Sequence, residues 1–213
     1  MVHPAGGSVA AYRDLARGLD RLCFGLAASE PLPGTGEALA QGYVAAVRAA
    51  ARGPYTILGW SSGAVIALEM TAQLEAAGEQ VAHLVVLDAP APTDPPPGAV
   101  DDATMQNWFR EDTAGADLLD TELHHVYPVF AQIVNACRSY RPSVVSANVA
   151  LIRARDGRVS EYAAHPHEAR DDWGWSSRTR GTVATRAVAG THHSLFSSGH
   201  IADVVAALRE LTR

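Results

Sequence analysis

The chain has 213 residues, 47% hydrophobic and 19% charged, which is enough apolar material for a sizeable core and excludes a disordered chain. A net charge of −6 leaves no basic stripe to neutralise phosphates, so a nucleic-acid binder is excluded, and no run approaches the ~18 apolar residues of a membrane span. All 17 cationic residues are arginine, which rules out lysine-based chemistry. The two cysteines, Cys23 and Cys137, sit in apolar-rich segments and are expected to be reduced thiols, not a disulfide. With no signal-peptide pattern at the N-terminus, the expectation is a single soluble, cytoplasmic domain over residues 1–213.

In chain order, His3-Pro4-Ala5-Gly6-Gly7 forms a flexible glycine-rich loop. Ser8 is placed as the N-cap of a helix through about Leu19, with Val9, Tyr12, Leu15 and Leu19 on one face. Leu22-Cys23-Phe24-Gly25-Leu26 is predicted to be a short buried strand, followed by a loop marked by Pro31, Pro33, Gly34 and Gly36. A helix from roughly Glu37 to Arg52 buries Leu39, Tyr43, Val47 and Ala50, and Gly53-Pro54 stops it.

Tyr55-Thr56-Ile57-Leu58 is then a strand, and a helix runs from about Ser62 to Ala77 with Gly78 as its stop. Between them lies Gly59-Trp60-Ser61-Ser62-Gly63, with a glycine two positions either side of one serine. That is the G-x-S-x-G nucleophile elbow, a turn so tight that flanking side chains would clash. It holds the Ser61 hydroxyl above a helix N-terminus, where the dipole and free N–H groups favour developing negative charge. Ala82 to Leu87 is an unbroken apolar strand. Apolar strands alternating with helices specify a mostly parallel sheet covered on both faces, an α/β architecture.

Regularity breaks after Asp88, where Ala89 to Gly98 carries five prolines. Residues about 99 to 140 read as short helices holding Trp108, Phe109, Leu118, Leu119, Tyr127 and Phe130. Such an insertion is either a lid over a pocket or an ordinary packed layer, and both stay open. Val144 to Ala154 returns to strand, and residues 156–181 are polar, with Trp173 and Trp175. A last strand, Thr185 to Ala189, runs into Gly190-Thr191-His192-His193, and an amphipathic helix, Ile201 to Leu211, closes the chain.

A serine hydroxyl needs a base to take its proton, and the base needs an anion to orient it. In a parallel sheet such groups collect beyond the carboxyl ends of the strands. His192, or its neighbour His193, follows the last strand and is the candidate base; His200 is placed as a solvated helix cap. Two carboxylates compete for the orienting role. Asp88 ends the apolar strand that a right-handed crossover sets beside the serine strand, which favours it. Asp156 follows the next strand but lies in an alternating-charge run, Arg153 to Arg158, that suits a solvated loop. For the oxyanion, Ser62 N–H is one donor, and Ala5 N–H, with Gly6 as reserve, is the other. No metal or bound cofactor is expected.

Taken together, His3-Pro4-Ala5-Gly6-Gly7-Ser8, Gly59-Trp60-Ser61-Ser62-Gly63, Leu84-Val85-Val86-Leu87-Asp88 and Gly190-Thr191-His192 resemble the type I thioesterase domains that end nonribosomal peptide and polyketide synthases. The resemblance implies an α/β-hydrolase fold with a helical lid at about 95–140, Asp88 as the acid, and His192 as the base with His193 in the aromatic slot after it. It also implies a substrate presented on the phosphopantetheine of an acyl or peptidyl carrier protein. Ser61 would take the acyl or peptidyl chain, and hydrolysis or cyclisation would release it. Type II thioesterases fit less well, because Trp60 stands where they carry histidine and their acid sits later. The family has a full strand before the His-Pro loop where only Met1-Val2 stand here, so a truncated first strand and a weakly anchored Ala5 loop are expected. The Leu26–Glu37 loop is also shorter than the family's. The alternatives are a stand-alone esterase or lipase on small esters and a non-catalytic carrier-binding module.

Overall fold

The computed structural model describes residues 1–114, 119–157, 159–163 and 165–213, so Leu118 and Arg158 of the sequence reading lie outside the described residues. Strands β1 (Tyr55–Trp60), β2 (Val81–Leu87), β3 (Asn148–Ala154) and β4 (Val183–Val188) form a sheet in that order, every pair parallel. Side chains alternate across a strand, and here the alternation splits the core in two. Ile57, Leu84, Val86, Val149 and Leu151 face one layer; Leu58, Trp60, Val85, Leu87, Ala150 and Ile152 face the other. Helices α2 (Gly36–Ala50) and α3 (Ser62–Ala76) cover the first face, while α1 (Arg13–Gly18) and α6 (Ile201–Leu211) cover the second.

Register positions the site. Trp60 lies beside Leu87, Leu87 beside Ile152, and Ala154 beside Val188, so the carboxyl ends of all four strands stop at one rim. Residue 61, residue 88 and the turn at 190–192 therefore leave the sheet together.

Several local expectations are corrected. Leu22–Leu26 is no strand: Leu26 makes one parallel bridge to Val2, while Leu22 and Phe24 are exposed. Of its apolar residues, Leu26 and Cys23 pack against the two core layers while Leu22 and Phe24 face out, and periodicity could not reveal that. The first helix begins as a 3-10 turn, Ala10–Tyr12, with Val9 and not Ser8 at its N-cap position; the Ser8 hydroxyl accepts from the Ala10 N–H (3.2 Å) just ahead of the helix. Thr35, whose hydroxyl accepts from Ala38 N–H, caps α2, and Ala50, its last residue, is exposed. The segment after the proline run folds not into several short helices but into α4 (Asp102–Thr113) and the 20-residue α5 (Asp120–Ser139), which Pro128 does not break.

The N-terminal loop is firmly held. Val2 bridges Leu26 on one side and Gly59 on the other. The Tyr12 hydroxyl donates to Val2 O (2.6 Å) and accepts from Trp60 N–H (3.1 Å). Buried His3 bonds Pro4 O through Nδ1 (2.7 Å) and the Tyr43 hydroxyl through Nε2 (2.6 Å). Contacts from Tyr12, Tyr43 and Trp60 therefore anchor this loop, where weak anchoring was expected. Cys23 and Cys137 are free thiols.

Candidate active site

The elbow is a strained turn. Ser61 has φ 55° and ψ −134°, a region that side chains rarely adopt and that persists only where surroundings enforce it. The glycines are those surroundings. A Cβ on Gly59 would fall on the backbone of Gly63, and one on Gly63 would stand 2.5 Å from the carbonyl of His3. Ser61 N–H bonds the carbonyl of Leu87, tying the turn to the end of β2. Ser62 is the first residue of α3, so its N–H has no acceptor within the helix.

Asp88 leaves β2 with φ 48° and only 2% exposure. One oxygen accepts the Ala154 N–H from the end of β3 (2.7 Å), and the other pairs with His192 Nδ1 (2.8 Å). A carboxylate oxygen can only accept, so Nδ1 carries the hydrogen and Nε2 is left as the basic nitrogen. His192 is also 2% exposed and packs against the rings of Trp60, Tyr162 and His193. Sequence reasoning named both, and the structure brings them together.

The alternatives occupy other places. Asp156 is exposed and accepts the Gly190 N–H (2.8 Å), the bond that chiefly holds its carboxyl below the usual range. It braces the turn leading to His192. His193 lies 3.9 Å from Asp112 of α4, its pKa lowered by burial and then by neighbouring His192. His200 stands at the start of α6, its ring bonded to Ser197 and the carbonyl of Ser194. Ala5 is buried, lines the same pocket as Ser61, Ser62 and His192, and its N–H has no hydrogen-bond partner among the described residues. Gly6 is not in that lining.

Sequence reading missed two residues at the serine's pockets. The Ser61 hydroxyl is bonded not to His192 but to the phenol of Tyr162 (3.3 Å). Tyr162 is 7% exposed, edge-on to the rings of His192 and Trp173, and burial pushes its pKa well above the usual value, so it stays protonated. Beside it, Glu161 borders both pockets that meet at Ser61. Burial raises its carboxyl to about 7 against the pull of His192 and Arg138. Neither residue carries a motif; the polar segment between β3 and β4 has no period to locate it. Among the described residues, no cluster of ligating side chains could hold a metal ion.

Residues 1–210 match the family model described as the thioesterase domain. The chain belongs to the thioesterase domain family. It is 30% identical over 188 residues to a dimodular nonribosomal peptide synthase of Bacillus subtilis (strain 168), which covers 72% of this chain but only 8% of that protein. The solved covalent complex of the NocB thioesterase domain with a fluorophosphonate nocardicin G analog shares 26% identity. Its TM-score is 0.77, over 99% of this chain and 91% of that one. The type II thioesterase BorB from the borrelidin biosynthetic cluster shares 25% identity at a TM-score of 0.73, over 100% and 91%. This thioesterase domain therefore has the α/β-hydrolase fold and is a hydrolase of the kind found in nonribosomal peptide and polyketide synthases. Among the described residues, no helix is long and apolar enough to cross a membrane.

Proposed function

We propose that this thioesterase domain releases an acyl or peptidyl chain from the phosphopantetheine thioester of a carrier protein, using Ser61, His192 and Asp88. The observation that carries the reading is the buried 2.8 Å bond between Asp88 and His192, beside a serine on a glycine-flanked elbow. The Ser61 hydroxyl turns from Tyr162 to His192 as substrate arrives, since catalytic hydrogen bonds often tighten only in the substrate complex. His192 Nε2 takes the hydroxyl proton, Oγ bonds the thioester carbon, and the C–S bond breaks as the proton passes to sulfur. The N–H groups of Ala5 and Ser62 receive the charge that builds on the carbonyl oxygen. Water, or an amine or hydroxyl of the chain, then attacks the acyl-enzyme; the C–Oγ bond breaks and the proton returns to Ser61. Asp88 keeps the imidazole in the one tautomer that can do this. Helices α4 and α5 act as the lid of a single domain, working in the cytoplasm with a carrier protein as partner and no bound cofactor.

Intact-mass analysis after treatment with an alkyl fluorophosphonate tests the nucleophile. An adduct is expected on the wild type and none on Ser61→Ala, whose thioester turnover should fall on the order of ~10⁶-fold. A folded wild type that stays unlabelled would favour a carrier-binding module instead. Faster turnover of an oxygen ester than of the matched N-acetylcysteamine thioester would favour a small-ester esterase.

A further inference from the structure

Two chambers meet at Ser61. One is lined by Ala5, Trp108, Asp112, His192 and His193; the other by Val65, Pro90, Pro97, Arg138 and Tyr140. Ser61, Ser62 and Glu161 border both, and Tyr162, whose phenol is 3.3 Å from Oγ, lines the second chamber beside the serine. The turn carrying Tyr162, Ser160–Tyr162, is not free to drift. Glu111 of α4 accepts from both the Ser160 N–H (3.1 Å) and the Ser160 hydroxyl (2.8 Å), which staples the turn to the helical insertion.

An acyl thioester has two arms on one carbonyl carbon. The arm ending in the leaving sulfur must lie within reach of His192, because that sulfur needs its proton. It therefore belongs in the chamber that His192 lines, and the acyl arm belongs in the other. To react, the carbon must come to about 3–3.5 Å from Oγ, the distance the phenol oxygen now holds. A two-armed substrate cannot lay its acyl arm in the second chamber with its carbon on Ser61 while the phenol lines that chamber and holds Oγ. A reagent small enough to use one chamber meets no such barrier.

We propose that Tyr162 is a specificity-determining gate that screens acyl groups by whether they can displace its phenol from Ser61, with the Glu111–Ser160 staple setting how readily it yields. The proposal rests on Ser61 being the acyl-accepting nucleophile, so the test separates the two ideas. Two rates are measured on the purified 213-residue chain: covalent labelling by phenylmethanesulfonyl fluoride, a one-armed reagent, and kcat/KM for decanoyl-N-acetylcysteamine. Tyr162→Phe keeps the ring contacts to His192 and Trp173 and loses only the bond to Oγ. Its decanoyl kcat/KM should rise roughly fivefold, the worth of one ordinary hydrogen bond, with the labelling rate within about twofold of wild type. Glu111→Gln, which weakens the staple without touching Ser61, should shift the ratio of the two rates the same way. Equal changes in both rates, or a fall in decanoyl turnover at unchanged labelling, would overturn the gate. Absence of labelling in the wild type, matching a Ser61→Ala control, would instead remove the nucleophile and the gate with it. Thermal melts confirm that each variant is folded, so a drop caused by unfolding is told apart from either result.

Discussion

Replacing Asp88 by asparagine isolates the orienting role. The wild-type carboxylate spends one oxygen on the Ala154 N–H at 2.7 Å and the other on His192 Nδ1–H at 2.8 Å. Asparagine offers one accepting oxygen and one donating amide. If the oxygen stays with the Ala154 N–H, the amide donates to Nδ1 and the ring hydrogen moves to Nε2, where no proton from Ser61 can be accepted. If the amide turns round, a buried donor faces the Ala154 donor, at about 1–3 kcal/mol for the lost bond. The first arrangement avoids that cost and is the one expected, so kcat should fall roughly 10⁴-fold, or about 5 kcal/mol at the usual 1.36 kcal/mol per decade. The matched control is Asp156→Asn: its remaining oxygen can still accept the Gly190 N–H, so the loss should stay within about tenfold, the scale of one hydrogen bond. The assay is steady-state release of free thiol from an acyl-N-acetylcysteamine thioester, with a thermal melt alongside because Asp88 is 2% exposed. A larger loss in Asp156→Asn than in Asp88→Asn would refute the assignment.

Two further outcomes follow from the elbow and its acidic neighbour. Gly63→Ala puts a methyl 2.5 Å from the His3 carbonyl, and that backbone is pinned by Val2 and Tyr12. Chemical denaturation should show a loss of about 3 kcal/mol or more, and an unchanged midpoint would mean that the His3 loop can move aside. Glu161 binds its proton more tightly folded than unfolded, since burial raises its carboxyl to about 7 from an ordinary value near ~4.3. The folded state therefore holds the extra proton within that window, and wild-type stability should fall as pH rises through it and level off above. Glu161→Gln should melt progressively higher than wild type across the window; parallel melting curves from about pH 4 to 8 would contradict the stated cause.

Where the chain's local chemistry is strong, the sequence is a good guide. The glycines on both sides of Ser61 announce the turn as a motif, although only Gly59 is required by atoms a few positions away, its Cβ falling on Gly63, while Gly63 is required by the carbonyl of distant His3. The apolar runs of β1, β2 and β3 mark a sheet buried on both faces, and Asp88 stands out as a charge at the end of such a run. Leu22–Leu26 misleads for the converse reason: an apolar pattern needs a continuous facing layer to become a strand, and here Leu22 and Phe24 stay exposed while Leu26 makes a bridge to Val2.

By itself the sequence determined the elbow motif, the α/β alternation, and the order in which serine, acid and histidine occur, since the first two are patterns a few residues long and the third is chain order. Only the tertiary structure decided that Asp156 braces the Gly190 turn while Asp88 meets the imidazole, and that Tyr162, 101 positions from Ser61, rests on its hydroxyl. Those contacts are set by how strand ends line up and by where buried Trp173 and Trp175 seat the segment between β3 and β4, with the Trp175 indole donating to Ala89 O. No short-range pattern encodes such a meeting, because the partners are joined through the sheet and not along the chain.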